Sequence, residues 1–178
     1  MRLAVGSDHA GFDLKEILKA ELAALGHDVT DLGTNDAVTS VDYPDYGAAV
    51  GRAVATGQAE LGVCVCGSGN GIAMAANKVP GVRAAVVHDV TTAALAGQHN
   101  HANVVCFGAR TTGSTVVVDA LHAFLDAPQE PEARNSRHLR RIEKLAALDA
   151  TAADGHGTDA GREAERELVH HTAPEGTT

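Results

Sequence analysis

Aromatic side chains are scarce in this chain: only 3% of its 178 residues are Phe, Trp or Tyr, and there is no Trp. Proteins that bind single-stranded nucleic acid stack the bases on aromatic rings, so this scarcity argues against that function. The net charge of −9 argues against nucleic acid more strongly, because affinity for a phosphate backbone comes from clustered Lys and Arg. Without aromatics, the core must consist mainly of Ala, Val, Leu and Ile, which suits helices packed closely on a parallel sheet.

The sequence also lacks long apolar runs. The first such run, residues 3–6, ends at Ser7, far short of a secretory signal, and no stretch is long enough to span a bilayer. The cysteines, Cys64, Cys66 and Cys106, are odd in number and lie inside apolar runs, which is typical of reduced thiols and not of a disulfide framework. These absences predict a cytoplasmic protein with no membrane partner.

Short apolar runs alternate with segments of helical periodicity along most of the chain. The runs at residues 2–6, 27–32, 61–66, 82–87 and 104–107 predict five strands. Helices are predicted between and after them, with a turn-rich loop at residues 33–44. Strands that alternate with helices indicate an α/β fold with a doubly wound parallel sheet.

One domain, residues 1–150, accounts for this pattern. Its last helix is expected to begin at Pro131 and to carry a stripe of Leu139, Ile142, Leu145 and Leu148. Residues 151–178 are rich in Gly, Ala, Thr and charge, and we interpret them as a mobile C-terminal tail.

Polar residues follow the ends of four predicted strands. Asp8 and His9 follow the first, residues 66–71 the third, His88 and Asp89 the fourth, and residues 108–110 the fifth. Ligands of doubly wound sheets bind at the carboxyl ends of strands, near the point where the strand order reverses. The shared position of these residues predicts a functional site there.

The glycine-rich loop Cys66-Gly67-Ser68-Gly69-Asn70-Gly71 allows two interpretations. Its backbone N–H groups could cradle a nucleotide phosphate, or they could stabilise an anionic intermediate such as an enediolate. The third glycine comes one residue too early for the dinucleotide fingerprint, and no Gly-Lys-Ser/Thr follows as in a P-loop. Asp89 lies at about the distance of a ribose-binding acid, so a dinucleotide remains the lesser alternative.

Cys66 lies where the strand meets this loop. A thiol against converging N–H groups is favoured as a thiolate and can act as a base, although a buried small hydrophobe is the structural alternative. That alternative suits Cys64 and Cys106 better. No second Cys pair has zinc spacing, so we predict no metal site.

Other candidates are Asp8, as a helix cap or an acid–base group, and His99, whose ordinary pKa range is near neutrality. Arg137 and Arg141 are four residues apart and share a helix face, where they could clamp a phosphate or form a solvated basic surface. Arg110 could join them.

Together these residues resemble the ribose-5-phosphate isomerase B family, which also contains allose-6-phosphate and galactose-6-phosphate isomerases. Seven segments match in order over residues 1–149: Ser7-Asp8-His9-Ala10-Gly11, Asp42-Tyr43-Pro44, the loop 66–71, Ala75-Ala76-Asn77-Lys78, His99-Asn100, Phe107-Gly108-Ala109-Arg110 and Arg137-His138-Leu139-Arg140-Arg141.

The resemblance implies a Rossmann-like fold and a homodimer or dimer of dimers with shared active sites. It also implies a metal-free, cofactor-free interconversion of ribose 5-phosphate and ribulose 5-phosphate. Cys66 would move the proton, Ser68 would steady the enediolate, and Asp8 and His99 would open the sugar ring. The implied phosphate ligands are His9, Arg110, Arg137 and Arg141; the implied pocket residues are Tyr43, Gly67, Gly69, Asn70, Gly71 and Asn100.

One branch of the family has a Glu further along the loop in place of the cysteine base. This chain has Ile72, Ala73 and Met74 there, which places it in the cysteine branch. The preferred sugar stays open, with allose, galactose and tetrose phosphates as alternatives to ribose 5-phosphate. The family pattern ends near Leu148 and assigns the tail no catalytic role.

Overall fold

The computed structural model describes residues 1–127 and 137–153. The strands are β1 (Arg2–Ser7), β2 (Asp28–Asp31), β3 (Leu61–Cys66), β4 (Ala84–Val86) and β5 (Val104–Gly108). The helices are α1 (Phe12–Ala24), α2 (Tyr43–Ala55), α3 (Asn70–Ala76), α4 (Val90–Asn100), α5 (Ser114–Leu125) and α6 (Arg137–Ala153). A short 3₁₀ turn, His9–Gly11, joins β1 to α1. None of the described helices is long and apolar enough to cross a membrane.

The five strands form one parallel sheet in the order β2-β1-β3-β5-β4. The predicted α/β doubly wound sheet is therefore confirmed. The chain builds outward from β1 to β2 and then crosses to β3 on the other side, so the strand order reverses between β1 and β3. Both strands end in residues predicted to be functional, Asp8 after β1 and Cys66 at the end of β3.

Each face of the sheet is covered by its own apolar layer. Residues of α1, α4 and α5, including Leu18 and Phe124, pack on one face. Residues of α2 and α3, including Val50 and Ile72, pack on the other. The helices approach closely because the strands carry small residues: a Cβ at Gly6 would meet Val50 Cγ2 at 2.6 Å. This agrees with the aliphatic core expected from the composition.

Several predicted boundaries of strands and helices differ from the structure by a few residues. Helix α2 begins at Tyr43, inside the predicted loop, because Pro44 fits the first helical turn, where no N–H is needed. Helix α4 extends to Asn100, so His99 and Asn100 lie in its last turn and not after it; His101, with φ 49°, ends the helix. Helix α6 continues to Ala153, and the predicted domain end at residue 150 stays a prediction. Pro131 and residues 154–178, most of the predicted tail, lie outside the described residues.

A lysine is buried between α1 and the segment after β2. Lys15 is 1% exposed, and its Nζ donates to Asp31 Oδ2 at 2.6 Å and to the Thr34 carbonyl at 2.8 Å. Asp31 also accepts from Lys19 Nζ at 2.6 Å and from the Gly33 N–H at 2.9 Å. A buried ammonium is tolerated only with such partners, so this network holds the residues after β2 against α1.

The carboxyl group of Asp31 should make stability depend on pH in acid. Burial acts to raise its pKa, but hydrogen bonds from Lys15, Lys19 and Gly33 outweigh burial and lower the pKa below the ordinary 3.8. A carboxyl with a lower pKa in the folded state stabilises the fold fully above its unfolded value, and this contribution is lost as the pH falls through the acid range. Measured by urea unfolding, the unfolding free energy of the wild type should fall between pH 7 and pH 3. It should fall less over the same range in the Asp31→Asn variant.

At pH 7 the Asp31→Asn variant itself should lose about 2 kcal/mol of unfolding free energy, because Lys15 keeps its burial and loses its closest anion. Glu60→Gln is the matched control, since it breaks an exposed pair with Arg2 and should change stability little. Equal effects of the two substitutions would contradict this account of Lys15.

Candidate functional site

A cleft of about 300 Å³ lies at the carboxyl ends of the central strands. Its walls come from the ends of β1, β3 and β5 and from the start of α2. The lining residues are Asp8, Tyr43, Cys66, Gly67, Ser68, Gly71, Arg110 and Thr111. All but Thr111 were predicted from the sequence. The predicted edge of the sheet is therefore where the structure brings these side chains together.

The loop after β3 curls back over the Cys66 thiol. Gly69 has φ 80°, the left-handed conformation that glycine adopts without strain, and its N–H donates to Cys66 Sγ at 3.2 Å. A Cβ at this position would also lie 3.0 Å from the carbonyl carbon of Phe107. Ser68 Oγ accepts a longer hydrogen bond, 3.4 Å, from the Asn70 N–H. The loop thus presents a backbone donor to the sulfur, as the thiolate interpretation requires.

The three cysteines share one face of the sheet, but only Cys66 lines the cleft. Cys64 and Cys106 are paired across β3 and β5 and are fully buried. Burial, together with the neighbouring Cys64, raises the pKa of the Cys106 thiol well above its ordinary value. Such a thiol stays protonated and acts as a small apolar side chain. Cys66 therefore remains the nucleophilic candidate of the three.

The end of β5 is hydrogen-bonded to the same loop. The Ala109 N–H donates to the Cys66 carbonyl, and the Arg110 N–H donates to the Gly67 carbonyl, both at 2.9 Å. The Arg110 guanidinium lies over Gly67, where a Cβ would be 3.5 Å from Nη1. These contacts fix the cation of Arg110 at the rim of the cleft, beside the loop that carries Cys66.

Asp8 caps the turn after β1, as predicted, and also lines the cleft. Its Oδ1 accepts from the Gly11 N–H at 3.0 Å and so caps the 3₁₀ turn, while the residue lines the cleft and is 6% exposed. His9 follows at the start of this turn, and its Nδ1 accepts from the Val41 N–H at 3.2 Å. This bond leaves Nε2 as the donor of a neutral His9, which is suited to an anion.

Tyr43 covers Gly71 across the cleft. A Cβ at Gly71 would meet the Tyr43 ring at 2.6 Å, so only glycine allows this contact. Tyr43 is 41% exposed, and its ring forms a flat wall beside the loop. The remaining loop residues of the prediction, Gly69 and Asn70, are not among the residues that line the cleft.

Four predicted site residues lie elsewhere in the chain. His99 is in the last turn of α4 and stacks on His138 of α6, and Arg137 and Arg141 are exposed on α6. Asn100 lines a separate cavity of about 470 Å³ beside β4 and α6. None of the four is among the residues that line the Cys66 cleft. Sequence reasoning missed Thr111, although its position just after β5 could have indicated it.

Two further observations bear on cofactors. Asp89 is exposed and caps α4: its Oδ1 accepts from the Thr92 N–H at 2.7 Å, so its carboxylate already has a structural role. This weakens the comparison with a ribose-binding acid of a dinucleotide site. Among residues 1–127 and 137–153, no three His, Cys, Asp or Glu side chains are grouped so as to hold a metal ion.

Comparisons with known proteins agree with this architecture. The sequence model of the Ribose/Galactose Isomerase family matches residues 3–145. This chain belongs to that family. It is 41% identical over 145 residues to the galactose-6-phosphate isomerase subunit LacB of Clostridium acetobutylicum, covering 82% of this chain and 83% of that protein. It is 39% identical over 148 residues to ribose-5-phosphate isomerase B of Escherichia coli, covering 83% and 96%.

A solved structure supports the same assignment. The ribose-5-phosphate isomerase B of Clostridium thermocellum superimposes with a TM-score of 0.81 and 38% identity, over 85% of this chain and 99% of that one. The resemblance inferred from seven sequence segments is therefore confirmed, and the chain is an aldose–ketose isomerase. The roles of its individual residues stay predictions.

Gly69→Ala should damage the site more than the fold. The variant should lose about 1–2 kcal/mol of unfolding free energy from left-handed strain. Its isomerase activity should fall about 10- to 100-fold, because the donor to Cys66 Sγ is displaced. Gly57→Ala is the matched control: Gly57 has φ 73° and no atom within 4 Å of its Cβ position, so strain should appear without loss of activity. Equal activities in the two variants would contradict this role of the loop.

Proposed function

We propose that this sugar-phosphate isomerase interconverts ribose 5-phosphate and ribulose 5-phosphate, with Cys66 as the base. The observation that carries the proposal is the cleft itself: a thiol beside a backbone N–H, an acid at Asp8 and a cation at Arg110 surround one small space. A relative that is 39% identical over most of both chains is named ribose-5-phosphate isomerase B.

The chemistry follows from the acidity of a C–H bond next to a carbonyl. The Cys66 thiolate takes the proton from C2 of the open-chain aldose, and the C–H electrons form the C1–C2 double bond while the carbonyl electrons move to O1. In the resulting enediolate the O2 proton passes to O1, and the C2 carbonyl forms as C1 takes the proton back from the Cys66 thiol. A positioned base typically contributes 10²–10⁴-fold to the rate, which corresponds to roughly 3–5 kcal/mol.

The enediolate needs hydrogen-bond donors that are in place before charge develops. Backbone N–H groups of the loop and the Ser68 hydroxyl are the donors that this chain offers next to Cys66. Gly67, Asn70 and Gly71 complete the loop, and Tyr43 lies across from it.

A pentose phosphate arrives mainly as a furanose, so the ring must open before the proton moves. We assign this step to Asp8 and His99: Asp8 accepts the proton of the C1 hydroxyl, the bond from C1 to the ring oxygen breaks, and His99 gives its proton to that oxygen. We assign phosphate binding to His9, Arg110, Arg137 and Arg141, and we place Asn100 next to the sugar.

His99, Asn100, Arg137 and Arg141 would have to come from a second copy of the chain. What supports this is their separation from the cleft within one chain, whereas Asp8, Cys66 and Arg110 line it together. The arginines carry their charge on an exposed helix surface of an acidic protein, where a phosphate bound by another subunit could reach them. A homodimer or dimer of dimers then has sites that neither chain completes alone.

The sugar itself has one competing candidate supported by a specific observation. The relative from Clostridium acetobutylicum is named a galactose-6-phosphate isomerase subunit and is as similar in sequence as the ribose-5-phosphate isomerase. Allose 6-phosphate and a tetrose phosphate fit the same chemistry. The nucleotide-binding alternative is disfavoured by the capping role of Asp89 and by membership of an isomerase family.

Incubation with ribose 5-phosphate in deuterated water, with a chelator present, tests reaction and metal independence together. We expect ketose to form with deuterium at the carbon that receives the proton. Comparing kcat/KM for ribose 5-phosphate, galactose 6-phosphate, allose 6-phosphate and erythrose 4-phosphate then ranks the substrates. A hexose phosphate preferred over ribose 5-phosphate would overturn the proposed substrate but not the reaction class.

Cys66→Ala should lower kcat about 10²–10⁴-fold while the fold persists, because the positioned base is lost. Cys64→Ala is the control, since Cys64 lies on the same strand and face but is fully buried away from the cleft. It should keep near-normal activity at some cost in thermal stability. Near-normal turnover by the Cys66 variant would exclude it as the base.

Mixed oligomers test whether sites are shared. Cys66→Ala chains and His99→Ala chains should each be inactive, yet co-refolded mixtures should recover about a quarter of the wild-type activity, because a mixed dimer retains one intact site. Mixing two batches of the Cys66 variant is the control and should recover none. Absence of recovery in a mixture shown to contain mixed dimers would place Cys66 and His99 in one chain's site.

A further inference from the structure

The imidazole of His138 lies flat against that of His99. The ring centroids are 4.3 Å apart and the planes differ by 9°. The two rings come from different helices, His99 from the last turn of α4 and His138 from the first turn of α6. Both residues are half-buried. A pair so nearly parallel fixes the plane of each ring as well as its distance.

The charges around His138 favour its neutral form. Partial burial lowers the pKa of His138, and the neighbouring His99, Arg137 and Arg141 lower it further. The Arg137 Nε–H also donates to His138 Nε2 over a long 3.5 Å, which requires that nitrogen to be without a proton. A neutral ring can stack on an imidazolium, whereas two imidazolium rings would repel each other.

We propose that His138 is a positioning residue for sugar-ring opening, whose ring holds His99 in the plane from which His99 delivers its proton to the ring oxygen. The inference rests on the proposed function, because it assigns His99 to that step. No role was assigned to His138 from the sequence, where it appeared only within a family segment.

The stack explains how His99 can act as a general acid although it lies in the last turn of a helix. A side chain in a last helical turn has few neighbours to restrict its torsions, and His99 is backed there by α6. General acid catalysis depends on the distance and direction between the acid and the oxygen that it protonates. His138 supplies the constraint without touching the substrate.

Packing of α6 on α4 is the competing explanation, and a pair of substitutions separates the two. His138→Phe keeps a flat ring stacked on His99. His138→Leu keeps the apolar volume and the helix packing but has no flat ring to stack on His99. If His138 positions His99, kcat/KM for ribose 5-phosphate should fall about 10- to 100-fold in the Leu variant and much less in the Phe variant. Equal losses in both variants would overturn the proposal.

A second measurement isolates the step. Ribulose 5-phosphate carries its phosphate on O5 and cannot close a furanose ring, so exchange of its C1 hydrogen with deuterated solvent needs Cys66 but no ring opening. The Leu variant should exchange within about twofold of the wild type while its conversion of ribose 5-phosphate falls, and His99→Ala should show the same split. Parallel loss of exchange and conversion in the Leu variant would show a general structural defect and overturn the proposal.

The wild-type protein in the same assays distinguishes failure of the inference from failure of the proposed function. Wild-type protein that neither converts ribose 5-phosphate nor exchanges ribulose 5-phosphate would refute the proposed substrate, and the inference with it. Wild-type activity on both, with no split in the Leu variant, would refute only the role of His138. Circular dichroism and oligomer size, measured for each variant, identify any that fail to fold or assemble, and for those His138→Gln takes the place of His138→Leu.

Discussion

The site depends on one close contact between two backbones, where the loop after β3 meets the end of β5. A Cβ at Gly108 would lie 2.6 Å from the carbonyl carbon of Ser68, so a side chain there would force the two segments apart. Two hydrogen bonds, Ala109 N–H to the Cys66 carbonyl and Arg110 N–H to the Gly67 carbonyl, hold the contact. Cys66, Ser68 and Arg110 owe their shared cleft to this approach, because residues on adjacent parallel strands would otherwise diverge beyond the sheet edge.

The proposed base and the proposed helix-borne ligands lie on different parts of the fold. Cys66 ends the central strand β3, which is hydrogen-bonded on both sides by β1 and β5, and its N–H donor, Gly69, lies in the loop that follows. Such a strand has little freedom, which suits the proposed role of Cys66 as a base that must reach C1 and C2 of the sugar. His99, Arg137 and Arg141 instead lie on α4 and α6, near the edge strand β4. Groups on a peripheral surface are available to a second chain, and this separation is the physical basis for the proposed sharing of sites.

Buried charge connects stability to the same edge of the sheet. Lys15 holds the Thr34 carbonyl, and the segment that begins there leads to Val41, whose N–H binds His9 Nδ1. Within this segment Asp36 Oδ1 accepts from the N–H groups of Val38 and Thr39, which stiffens the turn. The free-energy cost of removing the Lys15 ammonium from water is offset by its hydrogen bonds to Asp31 and Thr34. The same hydrogen bonds hold a loop beside the site.

The sequence by itself determined the strands, their parallel arrangement and the edge of the sheet at which the candidate site lies. Apolar runs of four to six residues between helical segments allow few other folds, and Asp8, Cys66 and Arg110 each lie at or just after the end of a strand. Seven segments in the same order also indicated the family, because such motifs can be recognised in a sequence without knowing which residues they contact. Boundaries such as the start of α2 at Tyr43 were less predictable, since Pro44 is compatible with both a loop and a first helical turn.

Only the tertiary structure decided which residues meet. The charge of Lys15 gave no sign that its ammonium is buried, because its partners Asp31 and Thr34 are 16 and 19 residues away. The stack of His138 on His99 depends on how α6 packs against α4, and the cleft position of Thr111 depends on the approach at Gly108. The physical reason is the same in each case: a sequence specifies local conformation through neighbours in the chain, whereas contacts between distant segments arise only once the whole core has packed.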